Sequence, residues 1–226
     1  PDCSAGRVAP VASHALPMTI PPPRPYLCLS LGLALFAMPR VAADDWPQWR
    51  GPARDGTWRE TGIVESFATP TLKPAWTAAI GPGYSGPTVA GDRVYLTDRV
   101  TAPQQQERVL CFDRVTGRPL WTHAYACVYR DLDYALGPRA AVTVVDGRAF
   151  TLGAMGHAHG LDAADGRVLW ARDLAKDFRA DINVWGVTSA PLVVGDLVIF
   201  QIGGESSGCL VALDVKTGKE RWRALD

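Results

Sequence analysis

In this 226-residue sequence, two side chains are best suited to hold a ligand, a guanidinium and an indole. Arg139 offers a planar fork that matches a carboxylate, and Trp185 offers a face on which a flat ring can stack. Other combinations promise less. His157 and His159 lie two apart, so on a strand they face the same side and begin a metal site, but no third ligand follows at short range. His123, two residues past Trp121, is expected at the surface. Gly81-Pro82-Gly83-Tyr84-Ser85-Gly86 fits G-x-G-x-x-G, yet a strand pattern follows it from Pro87 and no helix is there to receive a pyrophosphate. Gly204-Glu205-Ser206-Ser207-Gly208 fits G-x-S-x-G, but it joins two strands, whereas a nucleophile elbow needs strand, turn and helix. The five cysteines include no adjacent pair and no C-x-x-C. Beyond residue 43, Cys111, Cys127 and Cys209 allow at most one internal disulfide and leave one thiol over.

Composition indicates the kind of scaffold that must position these groups. A chain that is 47% hydrophobic and 20% charged is globular rather than disordered. Basic and acidic residues number 23 each, so no excess of positive charge is available for phosphates and no nucleic-acid partner is expected. Gly 22 and Pro 18 supply many tight turns and favour an all-β chain.

A repeat organises that chain. Cys111-Phe112-Asp113-Arg114-Val115-Thr116-Gly117-Arg118-Pro119-Leu120-Trp121 recurs as Gly160 to Trp170 and again as Ala212 to Trp222. In each copy the Gly (Gly117, Gly166, Gly218) follows the Asp (Asp113, Asp162, Asp214) by four and the Trp (Trp121, Trp170, Trp222) follows by eight. With Trp76, the tryptophans are spaced by 45, 49 and 52 residues, a period of repeat architectures. The Asp can accept from backbone N–H groups ahead of it and the Gly can take φ > 0, so each copy predicts a hairpin with the Trp on its second strand. Upstream of each copy lies another strand pair around Gly91-Asp92, Asp146-Gly147 or Gly195-Asp196. Four strands per roughly 50 residues, with no crossover helix between them, predict propeller blades. The large ring then fills the wedge between neighbouring blades.

The Asp-x-x-Thr-Gly-x-x-x-Trp pattern, with Ala two before the Asp, resembles the tryptophan-docking repeat of the pyrroloquinoline-quinone (PQQ)-like β-propellers. The third copy matches in full, the first has Cys111 for Ala, and the second has Gly160 for Ala and Asp165 for Thr. Asp45-Trp46-Pro47-Gln48-Trp49-Arg50-Gly51-Pro52 and Trp185-Gly186-Val187-Thr188-Ser189-Ala190-Pro191 resemble segments of exported bacterial members. The resemblance implies an all-β fold with three four-stranded blades of a seven- or eight-bladed propeller, and a chain that is part of a longer protein. Residues just before each innermost strand then face a central channel: Tyr84 to Gly86, Gly137 to Arg139, and Trp185 with Gly186. Arg139 and Trp185 are the cofactor or ligand candidates among them, against the alternative that Arg139 pairs with a blade carboxylate and Trp185 plugs the channel.

The front of the chain reads as a targeting signal. Arg24 precedes thirteen apolar residues, Tyr26 to Met38, followed by Val41-Ala42-Ala43. Such a run is too short to span a bilayer, which takes roughly 20 residues, and fits a cleaved secretory signal. The expected organisation is upstream sequence at 1–17, a signal peptide at 18–43, a lead-in at 44–75 and blades at 76–226, with the protein exported to the periplasm or beyond and no integral membrane segment after cleavage. The resemblance leaves two functions. The first is a non-catalytic propeller that binds an envelope protein or a small ligand. The second is a PQQ- and calcium-dependent dehydrogenase of alcohols or sugars, which implies a pair of adjacent cysteines, a calcium set of carboxylate and amide oxygens, and an Asp base. This chain has no such cysteine pair, and its one Asn is Asn183.

Overall fold

A computed structural model describes residues 44–206 and 208–225; the expected signal peptide falls outside them. Three antiparallel four-stranded sheets follow one another. The first comprises β1 (Thr88–Ala90), β2 (Arg93–Val100), β3 (Gln106–Asp113) and β4 (Pro119–Ala126). The second comprises β5 (Thr143–Val145), β6 (Arg148–Leu152), β7 (His157–Asp162) and β8 (Val168–Asp173), after which one helical turn, α1 (Leu174–Asp177), leads on. The third comprises β9 (Leu192–Val194), β10 (Leu197–Gln201), β11 (Leu210–Asp214) and β12 (Glu220–Ala224). Strands pair in sequence order within each sheet, as in propeller blades.

Each repeat closes its hairpin as its residues dictate. Asp113 Oδ1 accepts from Val115 N, Thr116 N and the Thr116 hydroxyl, and Gly117, at φ 69°, donates to Asp113 O. Asp214 repeats this with Lys216, Thr217 and Gly218. The second copy keeps the turn despite its altered residue. There Asp165 Oδ1 accepts from Arg167 N at 2.9 Å, where Thr116 and Thr217 hydroxyls accept from Arg118 N and Lys219 N at 3.3 Å in the other copies.

The same turns receive the tryptophan of the preceding repeat. Trp121 Nε1 donates to Ala163 O (3.2 Å) and Trp170 Nε1 to Val215 O (3.1 Å), while Trp76 Nε1 reaches Arg114 O (2.9 Å). A Cβ placed on Gly166 would lie 2.5 Å from the Trp121 ring, and one on Gly218 2.7 Å from Trp170. The turn glycine is therefore needed twice, for φ > 0 and for ring approach. Trp222 remains 38% exposed, against 7% for Trp170.

The innermost strands are joined by threonines. The buried Thr88 hydroxyl donates to Val142 O (2.6 Å), and Thr143 donates to Pro191 O (2.7 Å). The lead-in runs across them: Trp46 bridges Val89 in β1, and Val144 N in β5 donates to Pro47 O at 2.8 Å. It thereby satisfies backbone groups at the open edges of β1 and β5, a role its sequence does not announce.

Candidate functional site

The loop that follows this crossing closes one side of a cavity. Gly51 donates to Gln48 O (3.0 Å), Arg54 to Gly51 O (3.1 Å) and Gly56 to Arg50 O (3.0 Å), so the loop carries its own hydrogen bonds. Gly51, at φ 79°, packs on the Trp46 ring, where an added Cβ would lie 2.9 Å away. Gln48, Trp49, Arg50 and Arg54 from this loop line a cavity of about 520 Å³ together with Tyr84, Arg139, Ala141 and the segment Thr188 to Pro191. Tyr84 lies ahead of β1, Arg139 and Ala141 ahead of β5, and Thr188 to Pro191 ahead of β9. One concavity therefore collects the approaches to all three innermost strands, within the volume range of small-ligand sites.

Arg139 is held by neutral oxygens. Its guanidinium donates to Gly137 O (2.6 Å), Asp133 O (3.0 Å) and Tyr134 O (3.1 Å), and it lies 5.4 Å from the centre of the Tyr84 ring. The alternative pairing with a blade carboxylate is not what the geometry gives: Arg139 has no carboxylate within ion-pair distance among the described residues. Tyr84 is fixed beside it, since Tyr84 N donates to Pro138 O at 2.8 Å. The segment leading to Tyr84 is anchored by buried Asp98, which accepts from Gly81 N (2.6 Å) and from Arg108 through two bonds (2.8 and 2.5 Å).

Trp185 stands outside the cavity lining. The residue is 55% exposed, and its ring stacks on Tyr134 at 5.5 Å with 14° between planes. The two sequence candidates are nonetheless linked. Arg139 holds the carbonyl of Tyr134, whose ring supports Trp185, and Gly186 passes close behind the Arg139 side chain.

Beneath Arg139 lies a buried polar network that sequence reasoning missed. Glu107, 1% exposed, accepts from the hydroxyls of Tyr125 and Tyr129 and from Ala154 N (3.0 Å). Two arginines pack on the Tyr129 ring, Arg99 at 3.9 Å from its centre and Arg139 at 5.8 Å. Burial, reinforced by the Glu107 charge, pushes both tyrosine hydroxyls well above their ordinary range, so they remain donors at neutral pH. The signal was present: Glu107 is in phase with Val109 and Cys111 on β3, which points a carboxylate inward.

The histidines join the same seam. His157 and His159 lie on β7, and His123 of β4 meets His159 edge-on at 4.9 Å, which corrects its expected place at the surface. The Tyr125 ring packs 4.3 Å from His159 and 5.6 Å from His157. Desolvation holds the His159 pKa down at about 3, with further lowering from the neighbouring His123 and His157. His123 Nε2, His159 Nδ1 and Thr151 Oγ1 are buried without partners. Among the described residues, no three His, Cys, Asp or Glu side chains are grouped to hold a metal ion, and Cys111, Cys127 and Cys209 are all free thiols. The glycine-rich segment at 81–86 leads into β1 and Gly204 to Gly208 joins β10 to β11, so neither has the helix its motif requires.

Known proteins share this pattern. Methanol dehydrogenase [cytochrome c] subunit 1 of Paracoccus denitrificans is 26% identical over 224 residues, covering 88% of this chain and 34% of its own length. Polyvinylalcohol dehydrogenase of Sphingopyxis sp. (strain 113P3) is 29% identical over 195 residues, covering 80% of this chain and 28% of its own. The chain thus spans about a third of the length of these curated relatives. The solved structure of BamB from Moraxella catarrhalis is 20% identical with a TM-score of 0.45, over 67% of this chain and 42% of that one. The family model described as outer membrane protein assembly factor BamB matches residues 60–225. With three sheets in blade order and that match over most of its length, the chain belongs to the PQQ-like repeat family of β-propellers.

Proposed function

We propose that this chain is the binding region of an exported, non-catalytic propeller, and that its channel-face cavity receives an anionic group of an envelope partner or a small ligand. The observation that carries the reading is the position of Arg139. Its guanidinium is oriented by three carbonyls, has no carboxylate partner among the described residues, and lines a cavity at the approaches to three innermost strands. A cation held in place by neutral acceptors is prepared for an incoming carboxylate, and Arg is the side chain that binds one through two parallel bonds. Trp185 and Tyr134, stacked at the margin, would add an exposed aromatic surface for the partner. The family description, an outer-membrane assembly factor, agrees with a binding role in the cell envelope. Among the described residues no helix is long and apolar enough to cross a membrane.

The second reading is the PQQ- and calcium-dependent dehydrogenase, favoured by the curated relatives, both named as dehydrogenases. Arginines and exposed rings at the cavity suit the carboxylates and flat core of the quinone, which as a bound cofactor would accept the hydride. The described lining does not by itself supply a calcium site. Calcium takes six to eight oxygen ligands, chiefly carboxylate and carbonyl, and among the described residues the cavity lining offers no carboxylate side chain.

Titration of the full-length protein with PQQ, with and without calcium, followed by tryptophan fluorescence, separates the two. The binding reading expects no calcium-dependent quenching in a sample that melts cooperatively. Saturable, calcium-dependent quenching at micromolar quinone would overturn it in favour of the dehydrogenase.

A further inference from the structure

The cavity holds more positive charge than one arginine. Arg50 and Arg54 line it with Arg139, and among the described residues no Asp or Glu does. Nine of the sixteen arginines among the described residues lie within ion-pair distance of a carboxylate, and these three are among the seven that do not. Each is steered by a neutral oxygen instead: Arg50 by Asp55 O (3.3 Å), Arg54 by Gln48 Oε1 (2.5 Å), and Arg139 by its three carbonyls. A guanidinium has five N–H donors, so each keeps donors for a ligand.

We propose that Arg50, Arg54 and Arg139 form one site for a small polyanion, an organic acid or phosphate compound carrying at least two anionic groups. The proposal rests on the cavity being the binding site. It adds that the loop at 48–54 supplies two of the three charges and so sets the valence of the ligand. A single carboxylate would satisfy Arg139 and leave two positive charges of the lining uncompensated, whereas a ligand with two or more anionic groups can neutralise the set and make charge-assisted bonds to more than one arginine. The loop is preorganised for this by its internal hydrogen bonds and by the Trp46 and Pro47 crossing, so little ordering is required on binding. Partial burial of Arg54 beside no carboxylate lowers its pKa, a desolvation that an anion would relieve. Trp49, 61% exposed at the rim, gives the ligand a surface to cover.

The test is calorimetric titration of the full-length protein at low ionic strength with EDTA present, using citrate, pyrophosphate and acetate. Citrate and pyrophosphate are expected to bind at micromolar concentration and acetate not below millimolar. Stronger binding of citrate would assign a polycarboxylate, and stronger binding of pyrophosphate a phosphate compound. Arg139→Gln and the pair Arg50→Gln with Arg54→Gln should each weaken the polyanion about tenfold or more, the size of a lost charge-assisted bond. The exposed single variant Arg50→Gln, with its melting temperature checked, guards against loss of fold. If Arg139→Gln weakens binding but the loop variants leave it unchanged, the three-arginine site is wrong while the cavity reading stands. If neither polyanion binds the wild type, both are wrong.

Discussion

The two seams between consecutive sheets use the same latch and different filling. Trp121 closes the first onto Gly166, and Trp170 closes the second onto Gly218, each with an indole N–H to a turn carbonyl. Around Trp170 the filling is apolar: Phe150, Leu152, Leu174, Phe178, Val198 and Phe200 form one buried cluster. The first seam has a smaller apolar cluster, around Tyr95, Val109 and Leu161, and beside it the Glu107, Tyr125, Tyr129, His123 and His159 network. The repeat thus fixes how blades meet, and the residues between repeats decide whether a seam only holds or also supports a site. The polar seam is the one beneath Arg139.

Breaking the apolar seam should have the largest effect. Trp170→Ala in the full-length protein is expected to cost about 3–5 kcal/mol, and Trp121→Ala less because that ring is only partly buried. Chemical denaturation measures both, and equal costs would remove the distinction between the seams.

Between pH 7 and 4, acid should act chiefly on the polar seam. His159 has a folded pKa of about 3 against roughly 6.5 unfolded, so the unfolded chain binds the proton first. Its contribution is complete above about pH 6.5 and is lost as pH falls toward 3, by up to about 3 kcal/mol between pH 7 and 4. Stability curves of wild type and His159→Gln should therefore converge as pH falls over that window. Parallel curves would mean that His159 carries no such penalty.

Ring approach and backbone conformation can be separated with two glycines of the second sheet. Gly166 and Gly147 both have positive φ, but only Gly166 faces a ring, since nothing lies within 4 Å of a Cβ on Gly147. Gly147→Ala should cost about 1 kcal/mol and Gly166→Ala about 2 kcal/mol or more. Equal melting temperatures would contradict the close contact. Glu107→Gln is expected to cost about 1–2 kcal/mol, between the two glycine variants, because the amide oxygen still accepts one tyrosine.

Sequence made the sheets legible and the site only in part. Asp, Gly and Trp at fixed offsets specify a local hairpin and its partner, so the blade order could be derived without any long-range information. Arg139 was legible because it precedes an innermost strand. Arg50 and Arg54 were not, because the lead-in carries no repeat and its path over β1 and β5 depends on backbone hydrogen bonds that residue types do not encode. His123 and His159 are 36 residues apart on different sheets, so only the seam brings them together. Trp185 is legible as an aromatic surface but not as a lining residue, because its ring stacks on Tyr134 outside the cavity.

The claim that the polar seam supports the site is tested most directly by matched ring removals, one in each seam, with citrate affinity as the readout. Tyr129→Leu removes the ring on which Arg99 lies and beside which Arg139 packs, and Phe150→Leu removes a ring from the cluster around Trp170. The account predicts that Tyr129→Leu weakens citrate binding about tenfold, whereas Phe150→Leu lowers stability and leaves affinity unchanged. Unchanged affinity in Tyr129→Leu, or an equal loss in both variants, would contradict it.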